Sequence, residues 1–383
     1  MHNAFYLNNL SLNVLCAKCK GRLFCGRLKC PLLEKFRLKK IRVEAGEIEK
    51  PTPPSVFVGR IGYPKVFVGP LIALKDNNPE FLDSPWLWEG SVDDIIGIRM
   101  SLIRGMKLLD VRSSDRLIET LQEATASVRH VDLESKIEKV IEKPIFDDVL
   151  QPMGASAKIE DVKLVDNPKI PKKVEKVWSD EIKAVKAVKM LFDSGFSTYY
   201  IQKLFSIGML GVEKRLVPTR WSITAVHDIL GESLKKEIAD FDSVSEAMFF
   251  SYEHFGNRFE VLILPGRYSF NLVEVWRKRS FWSPDSTWIG YDSETILRKR
   301  KYSVLGGGYY AARLPVLEFL RKMKKQGRVF VVREIKPEYF APLGVWVVEE
   351  GVRRALRNRR KVDEKKIREI LGMFRIQATL SDF

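Results

Sequence analysis

A chain of 383 residues with 45% hydrophobic side chains has enough apolar material to bury large cores, so two or more globular units are expected and general disorder is not. Its 65 lysines and arginines against 49 aspartates and glutamates leave a formal charge of +16, which favours a polyanionic partner: DNA, RNA or an acidic protein. The sequence contains no run of about 20 apolar residues and no signal-peptide pattern, so the expectation is a soluble, cytoplasmic protein with no membrane partner.

The first element in chain order is CAKCKGRLFCGRLKC, residues 16–30, which holds all four cysteines of the chain. Cys16, Cys19, Cys25 and Cys30 are spaced so that a short loop can fold four thiolates around one tetrahedral ion, with ligation free energy replacing a hydrophobic core. Zinc is the expected ion. An iron–sulfur cluster takes the same four ligands, and disulfides or ordinary thiols are the remaining readings. Lys18, Lys20, Arg22, Arg27 and Lys29 lie between the cysteines, where a fixed backbone would hold them as a surface for phosphate contacts, or simply keep the segment soluble.

PTPPS at 51–55 marks a boundary, because repeated proline interrupts regular structure. VFVGRIGYPKVFVGPL, 56–71, predicts two strands around a Gly-Pro turn. Residues 92–139 read as helical, with KLLDVRSSDRLIETLQEATASV as one amphipathic helix. The proline- and lysine-rich stretch 144–179 is a second boundary, a surface connection or irregular strands around the core. EIKAVKAVKMLFDSG and STYYIQKLFSIGMLG predict two helices, and AMFFSYEH, RFEVLILPG and SFNLVEVWRK predict strands. GGGYYAARLP, 306–315, is expected to be a turn, VFVV at 329–332 and VWVV at 345–348 strands, and VDEKKIREILGMF, 362–374, a basic amphipathic helix. The fold class expected is α+β: a mixed sheet and helix core with an N-terminal four-cysteine metal module and a C-terminal partner-binding peptide. The corresponding domains are 1–50, 51–360 with an internal boundary at 144–179, and 361–383.

LVPTRWSITAVHD, 216–228, is the segment that invites a catalytic reading. Arg220 could clamp a phosphate, Trp221 stack on a base, and His227 beside Asp228 exchange protons near neutral pH. The same residues serve equally well for packing, capping and hydrogen bonding, and no complete catalytic set is spelled out, so activity as an enzyme is left open.

The final QATLSDF places Gln377, Leu380 and Phe383 at a turn-like spacing, with two apolar anchors and one polar group for a partner pocket. It resembles the peptide that binds the sliding clamp PCNA, except that the second aromatic of that pattern is missing. With the cysteine arrangement, LVPTRWSITAVHD and REIKPEYFAPLGVWVVEEGVR, the tail makes the chain similar over about 10–383 to the archaeal NreA/NreB DNA-repair family. That resemblance implies a DNA-repair factor with metal ligands at Cys16, Cys19, Cys25 and Cys30, recruited to the clamp through Gln377, Leu380 and Phe383. The alternatives are a DNA- or nucleotide-processing enzyme with its site near Arg220–Asp228, and a repair adaptor without enzymatic activity.

Overall fold

The computed structural model describes residues 44–74, 78–141 and 154–381, for 141 and 375–381 as backbone path only. The described residues form two compact units, 44–230 and 231–381, divided inside one long helix.

In the first unit the chain runs β1 (Gly46–Thr52), β2 (Val56–Val58), β3 (Lys65–Ala73), α1 (Val92–Met100), β4 (Leu102–Asp110), α2 (Arg116–Ala126), β5 (Val131–Ile141), β6 (Ser156–Leu164), α3 (Lys172–Ser179), α4 (Ala184–Asp193), α5 (Thr198–Ser206) and the start of α6 (Thr219–Ile238). Its six-stranded sheet has the order β1-β5-β6-β4-β3-β2, antiparallel except where β4 meets β6. Val66, Val68, Ile72, Leu102 and Ile103, all buried, make the strands β3 and β4 central to its core.

The second unit follows with β7 (Met248–His254), β8 (Asn257–Leu264), β9 (Ser269–Trp276), β10 (Trp288–Thr295), α7 (Gly307–Met323), β11 (Arg328–Ile335), α8 (Trp346–Ala355), β12 (Arg359–Arg360) and α9 (Glu364–Ser381). The sheet order is β10-β9-β11-β8-β7-β12, with β11 parallel to β9. Leu262, Val273 and Val332 of this sheet pack with Ile370 and Phe374 of α9, a pair four residues apart and therefore on one helix face. No helix among the described residues is long and apolar enough to cross a membrane.

The mixed α+β body matches expectation, as do the strands at 56–73 and 329–332. Several elements differ. KLLDVRSSDRLIETLQEATASV is not one helix: its first residues finish β4, which pairs on both sides, and Asp115 then caps α2 by accepting from the Leu117 amide. VWVV opens helix α8, where a short buried apolar run carries no period of its own. The charges that follow are helically spaced, with Arg353 2.9 Å from Glu349 and 2.5 Å from Glu350. GGGYYAARLP is likewise the start of a helix. Gly306, at φ 70°, makes the entry turn, and Pro315 sits inside α7.

α9 continues without a break through Gln377 and Leu380 to Ser381, so the tail is not a separate turn after a helix ending at 374. Phe383 lies outside the described residues.

The metal module is the largest correction. Among the described residues no group of three or more His, Cys, Asp or Glu side chains is placed to hold a metal ion. Cys16, Cys19, Cys25 and Cys30, and with them Lys18, Lys20, Arg22, Arg27 and Lys29, lie outside those residues. The zinc or iron–sulfur centre expected at those cysteines is therefore no part of the described fold.

Candidate functional site

The predicted residues at 216–228 occupy the first turns of α6, entered through Pro218. Ser222 and His227 are buried and both engage Gln202 of α5: Ser222 Oγ donates to its backbone carbonyl at 2.7 Å, and its side-chain amide lies 3.1 Å from His227 Nε2. Trp221 is exposed, its ring 5.1 Å from that of Tyr63. Thr219 Oγ1 accepts from the Val58 amide. The segment thus ties α6 to α5 and β2. Trp221 faces solvent while His227 is buried beside Gln202, and the lining of the cleft described next includes none of Arg220, Trp221, His227 and Asp228. His254, Asn257 and Arg258, a second set of polar residues beside aromatic groups, belong to the second unit.

A cleft of about 260 Å³ opens elsewhere in the first unit, lined by four separated stretches: 53–54, 80–86, 127–128 and 195–203. Its charged groups start from Asp83, at the end of a 3₁₀ turn, Pro79–Asp83, seeded by Pro79 and by Asn78, whose side chain accepts from the Phe81 amide. Arg99 is delivered by α1, which begins with a reciprocal capping box between Ser91 and Asp94. Its Nη1 donates to Asp83 Oδ1 at 2.7 Å and to the Leu82 carbonyl at 2.9 Å. Ser55 follows Pro53 and Pro54 between β1 and β2, and its hydroxyl donates to the other carboxylate oxygen of Asp83. Lys203, on α5, donates to Ser55 Oγ at 3.4 Å and stands 4.0 Å from Asp83.

Asp83 is therefore engaged more closely by Arg99 than by Lys203. Burial pushes the Lys203 ammonium below its ordinary pKa of 10.5; Asp83 opposes the shift and Arg99 reinforces it. Pro53, Pro54, Trp86, Val128 and Phe196 supply apolar walls. At the mouth the rings of Trp86 and Tyr199 are 5.2 Å apart, and Trp86 is 41% exposed. An amine with a weakened hold on its proton, beside a hydroxyl and a carboxylate, can act as a nucleophile or base. In the sequence PTPPS read only as a boundary and STYYIQKLF only as a helix. No local spacing joins residues 55, 83, 99 and 203.

The second unit carries a basic strip between β10 and α7, Leu297–Val304. Arg298, Arg300 and Lys301 are exposed there, together with Leu297, Tyr302 and Val304. Lys299 is turned inward, 2.5 Å from Asp292 Oδ1 and 5.2 Å from the Tyr309 ring. The strip is anchored by a buried ionic cluster. Lys235 donates to the Leu297 carbonyl at 3.1 Å and pairs with Glu232 at 2.8 Å, while Arg313 pairs with Glu294 at 2.9 Å and Glu232 at 3.1 Å. Burial raises the pKa of Glu294 against the pull of Arg313 and Lys235. A fixed backbone holding three exposed cations and an exposed tyrosine suits phosphate contact with stacking.

Residues 24–283 match the family described as archaeal Nre, N-terminal, and residues 294–381 the one described as archaeal Nre, C-terminal. The chain is 55% identical over 359 residues to the DNA repair protein NreA of Archaeoglobus fulgidus, covering 92% of this chain and 91% of the relative. It is 38% identical to the DNA repair protein NreB of the same organism, covering 88% and 87%, and 36% identical to the DNA repair protein NreA of Haloferax volcanii, covering 79% and 76%. No solved structure matches. With both family regions matched in order and similarity extending over most of each relative, the chain belongs to the archaeal Nre family.

Proposed function

We propose that this protein acts in DNA repair by contacting DNA through the strip Arg298, Arg300, Lys301 and Tyr302, and that it is brought to its sites by the sliding clamp PCNA. Its relatives NreA and NreB, all named DNA repair proteins, support the pathway. The strip is the observation that carries direct DNA contact. Its cations are exposed, while the side chains that fix its backbone are buried, so the charges are presented at little further ordering cost. Lys18, Lys20, Arg22, Arg27 and Lys29 would add phosphate contacts, and Gln377, Leu380 and Phe383 would supply the clamp contact. Tethering to the clamp raises the local DNA concentration even where each contact is weak.

Titrating duplex DNA against salt tests the strip. R298A/R300A/K301A is expected to weaken binding of every sequence alike and to lower the slope of log K against log salt by about 2–3, since each phosphate contact contributes about 0.9. An unchanged slope would remove the strip from the interface. Calorimetry with the clamp tests recruitment: loss of binding on deletion of residues 377–383 is expected, and unchanged affinity refutes it.

A further inference from the structure

We propose that the cleft of the first unit is an imine-forming site, in which Lys203 Nζ bonds to C1′ of the ring-opened sugar at an abasic position in DNA. The choice of DNA rests on the function proposed above; the chemistry of the amine rests on the cleft.

Three observations carry it. First, Lys203 faces a cavity while the nearest carboxylate is directed elsewhere. Asp83 accepts from Arg99 at 2.7 Å and from Ser55, leaving Lys203 4.0 Å away. A lysine whose role is to neutralise a buried carboxylate would make the short contact itself. Second, burial beside the apolar walls of Pro53, Pro54 and Phe196 weakens the hold of the Lys203 ammonium on its proton, an effect that Asp83 partly offsets and Arg99 adds to, and a lysine amine in such a setting is a better nucleophile than one in water. Third, at about 260 Å³ the cleft falls below the roughly 300–1,000 Å³ of pockets that enclose drug-sized ligands. It admits a sugar that has lost its base, and the part-exposed Trp86 ring that lines it is placed to stack on an adjoining base.

The step balances without an added oxidant or reductant. The neutral amine adds to the aldehyde carbon, a proton passes from nitrogen to the former carbonyl oxygen, and that oxygen leaves as water with the second amine proton as the C=N bond forms. Ser55, hydrogen-bonded to both Lys203 and Asp83, lies on the path for those proton transfers.

The test is borohydride capture with the full chain. An oligonucleotide carrying one abasic site is incubated with the protein and sodium borohydride, and the covalent product is digested and mapped. The expected result is a DNA adduct on Lys203, reduced at least about tenfold in K203M while that variant keeps the fold and the affinity for undamaged DNA of the parent. Mapping on the parent chain locates the adduct even if K203M fails to fold. A crosslink on another amine, or no crosslink from protein that binds the abasic oligonucleotide, overturns the proposal and leaves the DNA-contact reading intact. If the chain binds no DNA at all, the function proposed above fails instead. Reductive capture of glyceraldehyde then decides the amine: preferential labelling of Lys203 at pH 7 supports it, and even labelling across the lysines overturns it.

Discussion

Replacing Gly231 with alanine sets two opposing effects against each other on helix α6. In a helix interior this change ordinarily stabilises by about 1 kcal/mol, since alanine has less backbone freedom to lose. Here the added Cβ would lie 2.4 Å from Arg313 Nη2 and 2.7 Å from its Cζ, so the guanidinium must move. Arg313 is fully buried, held by Glu294 and Glu232, with the Tyr310 ring 5.3 Å away. Displacing it leaves the buried Glu294 carboxylate with Lys235 at 3.5 Å as its remaining cation. Breaking a buried ion pair costs about 3–5 kcal/mol, so the net expectation for G231A is a loss of about 2–4 kcal/mol. For a unit of this size that is a Tm lower by roughly 5–15 °C. Urea denaturation of G231A, R313M and the double variant gives the measurement. In the R313M background the clash is gone, and the same alanine should stabilise. Parental or greater stability of G231A, or an equal loss in both backgrounds, would refute the reasoning. Because the cluster anchors Leu297, a weaker grip of the G231A protein on DNA should accompany its lower stability.

Arg104 is buried against the Phe57 ring, donates to Ser156 at 2.5 Å and has no carboxylate partner among the described residues. Burial pushes its pKa from 12.5 down to about 10, a cost on the order of 3 kcal/mol that ring contact offsets by about 1, so R104M should be more stable by about 1–2 kcal/mol. Denaturant titration showing R104M less stable than the parent would contradict that balance. For Lys203 the folded pKa lies below 10.5, so between the two values the unfolded chain binds more protons and unfolding free energy rises with pH, flattening above 10.5. K203M should remove that rise, and parallel stability curves for parent and variant from pH 7 to 10.5 would exclude it. Removing the buried Lys235 cation in K235M frees the Leu297 carbonyl, so trypsin should cut at Arg298, Arg300 or Lys301 faster than in the parent. Unchanged cleavage kinetics would mean the strip is held by other contacts.

Elements with a strong repeating pattern were legible in advance. The paired Val-Phe-Val runs became β2 and β3, and the apolar strands around 248–276 entered one sheet, with β11 inserted between β8 and β9. Patterns without a period were not. VWVV suits a strand locally, yet burial on all sides and the Glu349–Arg353 spacing made it helical. Likewise the triple glycine, a turn by composition, supplied the entry to α7. His227 drew attention because an imidazole can exchange protons, and only the fold shows that it is buried with Nε2 3.1 Å from the Gln202 side chain.

By itself the sequence determined the basic balance, the mixed α+β composition and the family, since charge, hydrophobic periodicity and similarity are properties of residues in order. Only the tertiary structure decided which cations face solvent and which are consumed in the core: Arg298 and Arg300 are exposed, whereas Arg313 and Lys235 are locked to Glu232 and Glu294. It also assembled Ser55, Asp83, Arg99 and Lys203, which come from four separate segments. Proton affinity and nucleophilicity depend on dielectric and on neighbours a few ångströms away, and those distances come into being only when the chain folds.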